Sequence, residues 1–93
     1  MKFEAHITVT LKDAVRAQEK ADLFKWKTSQ IARDIILGED TYFYLTAHSE
    51  DLPSILEDMK FVAKCLESEG VKVVRQKIEA IIFDTKEPKR RVR

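Results

Sequence analysis

Two histidines stand two residues from a threonine, in the strings His6-Ile7-Thr8 and Thr46-Ala47-His48. An imidazole can take or give a proton near neutral pH, and a hydroxyl can hold an anionic oxygen without changing its own charge. Together these groups suit a phosphate, with His6 and His48 as proton carriers and Thr8 and Thr46 on the phosphate oxygens. Tyr44, Lys77 and Glu79 complete the candidate set: a phenol, a positive charge, and a carboxylate able to orient an imidazole. No metal and no cofactor is expected, because the chain has a single cysteine and no Gly-rich phosphate loop.

Whether these side chains meet depends on the elements that carry them. Residues Phe3 to Leu11 alternate apolar and polar, the period of two of a half-buried strand. Phe3, Ala5, Ile7, Val9 and Leu11 then face a core, and Glu4, His6, Thr8 and Thr10 face away. Lys12 to Leu23 is rich in helix formers, with Ala14, Ala17 and Ala21 on one side and Asp13 placed to cap the first turn. Phe24 to Ile31 predicts a second strand, because Phe24, Trp26 and Thr28 keep step at period two. The competing reading continues the helix through Ile31, Ile35 and Ile36 to Gly38. With the strand preferred, Arg33 to Asp40 becomes the connection and Gly38-Glu39-Asp40 its turn.

Thr41 to His48 is a third strand, with Phe43, Leu45 and Ala47 on one face and Tyr42, Tyr44, Thr46 and His48 on the other. A helix from about Asp51 to Glu69 follows, opened by Ser49, acids and Pro53, and closed by Gly70. Its inward stripe is Leu52, Ile55, Leu56, Met59, Val62, Ala63 and Leu66. Val71 to Phe83 is the last strand, with Val74, Ile78, Ala80 and Ile82 on one face and Arg75, Lys77, Glu79, Ile81 and Phe83 on the other.

The order strand, helix, strand, strand, helix, strand predicts a ferredoxin-like βαββαβ fold of the α+β class. Its four-stranded antiparallel sheet has the order 4-1-3-2 and both helices on one face. The first and third strands, which bear the histidines, are then central neighbours. One register sets His6 opposite His48 and Thr8 opposite Thr46; a register two residues away sets His6 beside Thr46 and Thr8 beside Tyr44. Both stay open from the sequence, and the fourth strand adds Lys77 and Glu79 on the other flank.

At 93 residues the chain is long enough for one domain, expected over 1–84, followed by a flexible basic tail at 85–93. Five of the 17 basic residues and one of the 16 acidic ones lie at 86–93, so the first 85 residues carry 12 basic against 15 acidic side chains. A tail so charged offers nothing to bury, and any role for it is electrostatic. No apolar run approaches the ~18–20 residues of a membrane span, so no membrane partner and a cytoplasmic location are expected. Cys65, the lone cysteine, fits a packed helix thiol in a reducing compartment.

The segment Ala5-His6-Ile7-Thr8-Val9 resembles the His-x-Thr motif of the 2H phosphoesterase superfamily. That resemblance implies hydrolysis or ligation of 2′,3′-cyclic or 2′-5′ RNA phosphates, two motifs in one longer chain, histidines as acid and base, and threonines on the phosphate. In this chain His6 and Thr8 match one motif and His48 would stand in for the second histidine. Three functions follow as expectations. The first is a binding or interaction domain that uses the polar sheet face for a small anionic or nucleotide ligand, or for homodimerisation. The second is a 2H-like phosphoesterase acting on a phosphate-containing small molecule or RNA end. The third is an RNA-binding module with Tyr42 and Tyr44 as stacking platforms. Tyr42, Tyr44, Ile81 and Phe83 together would expose more apolar surface than a monomer normally does, which favours a homodimer or a covering segment.

Overall fold

The computed structural model describes residues 1–31 and 42–82. The expected turn at Gly38-Glu39-Asp40, the residues Thr41 and Phe83, and the basic tail lie outside the described residues. Over the rest, strands β1 (Lys2–Thr10), β2 (Lys27–Ile31), β3 (Tyr42–Ser49) and β4 (Val73–Ile81) alternate with helices α1 (Ala14–Phe24) and α2 (Leu52–Ser68) in the expected βαββαβ order. All strand pairs are antiparallel, and the sheet order is β2-β3-β1-β4.

The alternation of β1 decides which side is covered. Ala5, Ile7 and Val9 are fully buried and cluster with Phe43 and Leu45 of β3, beneath Ala17 and Ala21 of α1 and Ile55, Met59, Val62, Ala63 and Leu66 of α2. The alanines let α1 lie close to the sheet, because no long side chain holds the two layers apart. No described helix or strand packs on the opposite face, which carries the even-numbered residues of β1.

The structure corrects the sequence reading at several points. Helix α1 runs through Phe24 and stops at Lys25, whose left-handed φ of 65° ends the helix without glycine, so β2 begins at Lys27 and not at Phe24. Phe24 instead meets Phe61 of α2 edge-on, ring centroids 5.4 Å apart. That aromatic contact accounts for an apolar residue at a position that also fits a strand pattern. Asp13 makes no side-chain cap to α1; its carboxylate accepts the Lys72 N–H at 3.4 Å and so links the start of α1 to the approach of β4. Leu11 leaves the strand for a short 3-10 turn over Leu11–Asp13 and is exposed. Leu52, expected inward, is 43% exposed, and Leu56 also reaches solvent. Both lie to one side of the line through Ile55, Met59, Val62 and Leu66 that touches the core.

In β4 the register with β1 shifts between Thr8 and Val9, pairing Val9 with Val73 and Thr8 with Arg75. That bulge places Val73, not Val74, against the core cluster. The strand ends at Ile81, and Ile82, expected inward, is exposed. Helix α2 closes at Gly70, φ 85°, as expected. The Arg16 side chain donates there to the Glu69 carbonyl, occupying the space a β-carbon at Gly70 would approach.

Candidate functional site

The register settles how the candidate residues meet. Thr46 lies opposite His6, Tyr44 opposite Thr8, and His48 opposite Glu4. The register that would have paired the two histidines is not adopted. On the other flank β4 sets Lys77 opposite His6, Glu79 opposite Glu4 and Arg75 opposite Thr8. Strand β2 adds Lys27 opposite Thr46 and Ser29 opposite Tyr44.

Residues directly opposite in adjacent strands share a face, so these pairings read as rows across the sheet. One row is Lys27, Thr46, His6, Lys77, and the next is Ser29, Tyr44, Thr8, Arg75. Every side chain in the two rows carries a hydrogen-bond donor and none is acidic. The row on the other side of His6 is different in kind: His48, Glu4 and Glu79.

His6 stands where the donor rows and the acidic row meet. Its Nδ1 lies 3.1 Å from Thr46 Oγ1, and its Nε2 lies 3.2 Å from Glu79 Oε1 and 3.3 Å from Glu4 Oε1. Glu4 is 3% exposed, and its other oxygen, Oε2, accepts from His48 Nε2 at 2.8 Å. The two histidines are thus joined through one buried carboxylate. Glu79 Oε2 lies 3.3 Å from Lys77 Nζ. Of the expected site residues, His6, His48, Thr46, Lys77 and Glu79 are brought together. Thr8 and Tyr44 form a neighbouring pair, and Thr8 is buried.

Burial pushes the Glu79 carboxyl up, but the hydrogen bond and charge of Lys77 and the adjacent His6 outweigh it, leaving the group below its ordinary value. A carboxylate with a lowered folded-state value adds stability above its unfolded value and loses it as pH falls through the folded one. Wild type is therefore expected to lose more stability than Glu79→Gln as pH drops below the ordinary 4.5. The difference should stay within about 1 kcal/mol, because solvent screens so exposed a pair. Chemical denaturation of both proteins across that range measures it. A larger loss in the variant would reverse the sign and contradict the assignment.

Reasoning from sequence missed Glu4, Lys27, Ser29 and Arg75. Glu4 was legible in principle, since it stands two residues before His6 on the same face of the same strand. Arg75 alternates with Lys77 and Glu79 along β4, and the register that is unbroken from Glu4 to Thr8 sets it opposite Thr8, while Lys27 and Ser29 join through the β2–β3 register. Tyr42 is buried at 4%, so it supplies none of the exposed apolar surface from which a homodimer through this face was expected.

No family model and no curated protein matches the chain. Among solved structures, the crystal structure of a functionally unknown protein from Pediococcus pentosaceus ATCC 25745 is similar, with 14% identity, a TM-score of 0.45, and coverage of 92% of this chain and 95% of that chain. No helix among the described residues is long and apolar enough to cross a membrane.

Proposed function

We propose that this chain is a binding domain that holds a small phosphate-bearing anion or nucleotide on the second face of its sheet, without turnover. The observation that carries the reading is the pair of acid-free rows in which every side chain can donate, with Lys27, Lys77 and Arg75 in the same rows as the hydroxyls of Thr46 and Tyr44. Ionised phosphate oxygens accept hydrogen bonds, and charged donors hold them more strongly than neutral ones. A face that served only to meet water would have no need to keep acids out of two adjacent rows.

Binding is favoured over phosphoester hydrolysis because the Nε2 atoms of both histidines lie against carboxylates. Those anions repel a phosphoryl group from the nitrogens that would have to exchange protons with it. Thr46, not Thr8, is the hydroxyl in contact with His6.

The test is titration of the chain, in the presence of a chelator, with inorganic phosphate, AMP and 2′,3′-cyclic AMP, followed by amide chemical shifts. Shifts are expected along the rows of Lys27 and Ser29, and Lys77→Ala should weaken binding roughly tenfold, the value of about one charge-assisted hydrogen bond. Wild-type affinity in both Lys77→Ala and Lys27→Ala would remove the rows from the site. Conversion of the cyclic nucleotide that disappears in His6→Ala would replace binding with the phosphoesterase reading.

A further inference from the structure

The geometry points to a divalent transition-metal site made by Glu4 Oε1, His6 Nε2 and Glu79 Oε1. The sequence alone suggested no metal; the site emerges only when register brings β1 and β4 together. The inference stands on donor geometry and does not require the anion-binding reading.

One ligand atom from each of the three residues lies within 4.8 Å of the other two, and Glu79 Oε1 and Glu4 Oε1 are 3.2 and 3.3 Å from the same imidazole nitrogen. An ion bound at ~2.0–2.1 Å with tetrahedral angles separates its ligands by about 3.3 Å. The two measured separations are those of adjacent ligands around such an ion. A single N–H aims at one acceptor well, so two carboxylates converging on one nitrogen are better served by a cation among the three atoms. Closing the remaining carboxylate-to-carboxylate edge needs only a turn of Glu79, whose side chain is 44% exposed.

Each donor is also held from behind. His48 Nε2 fixes the far oxygen of Glu4, Lys77 Nζ lies against the far oxygen of Glu79, and Thr46 Oγ1 meets His6 Nδ1. With the Nδ1 proton donated to Thr46, the lone pair of Nε2 points at the two carboxylates. This is the outer-shell arrangement that orients metal ligands and sets a histidine tautomer. One imidazole with two carboxylates suits zinc, manganese or iron(II) better than magnesium or calcium, which favour all-oxygen shells, or copper(I), which favours sulfur. The two negative charges balance a divalent ion, and three protein ligands leave a coordination position for water or an anionic oxygen.

The experiment is calorimetric titration of the untagged, metal-free full chain with zinc chloride in nucleotide-free buffer, repeated with manganese and magnesium. One equivalent of zinc should bind, magnesium should not, and cobalt in place of zinc should give visible absorption bands of nitrogen and oxygen coordination. His6→Ala and Glu79→Gln should each weaken zinc at least tenfold, and His48→Ala less than His6→Ala. Glu79→Gln lies on an edge strand and is partly exposed, so it keeps the test decisive if His6→Ala fails to fold. No saturable uptake by wild type, or unchanged affinity in Glu79→Gln, would overturn the site. Phosphate and nucleotide titrations run with chelator report on the anion reading alone, so the two can fail separately.

Discussion

Leu66→Ala is expected to lower stability by about 2–5 kcal/mol, whereas Leu52→Ala should stay within about 1 kcal/mol. Both are leucines of α2, fourteen positions and nearly four turns apart, and a simple helical stripe treats them alike. Leu66 is fully buried in the core cluster, while Leu52 is 43% exposed. Truncating Leu66 removes apolar contact and leaves a cavity that the rest of the core fills only in part. Truncating Leu52 chiefly returns to water a surface already half in it. Urea unfolding of the two variants measures the difference, and equal losses would mean that α2 sits at a different rotation on the sheet.

Glu4→Ala is expected to cost about 1–3 kcal/mol, the usual penalty when buried hydrogen-bonding groups lose a partner. The residue is 3% exposed and bridges His6 and His48, so its removal acts on both imidazoles. The sharper measurement is the double-mutant cycle with His48→Ala, where the 2.8 Å contact predicts a coupling of roughly 0.5–3 kcal/mol. Strictly additive losses would show that Glu4 is held by its backbone position and not by the histidine.

The element order and the buried face of β1 were legible because each rests on local periodicity, two in Phe3 to Val9 and near 3.6 in Ile55 to Leu66, and the sheet order followed from the element order. The errors fall where a tertiary contact overrides that local signal. Phe24 fits a strand pattern by its neighbours but is held in helix by the ring of Phe61. Leu52 fits the helical stripe but is 43% exposed at the start of α2. For the site, residue type and face were readable, and register was not. Both registers bury the same apolar residues, so hydrophobic patterning cannot choose between them. The choice decides whether His6 faces His48 or Thr46, and hence whether the cluster is a pair of imidazoles or an imidazole among carboxylates.

The rows that hold the donors cross all four strands, from Lys27 and Ser29 on one edge to Lys77 and Arg75 on the other. Edge strands open locally at lower free energy than the centre of a sheet, and β2 and β4 each have one described strand neighbour. A ligand seated across the rows would therefore act as a clasp, tying both edges to the middle and damping their opening. Slowed amide exchange along β2 and β4, beyond the residues that touch the ligand, would be the signature of an occupied face.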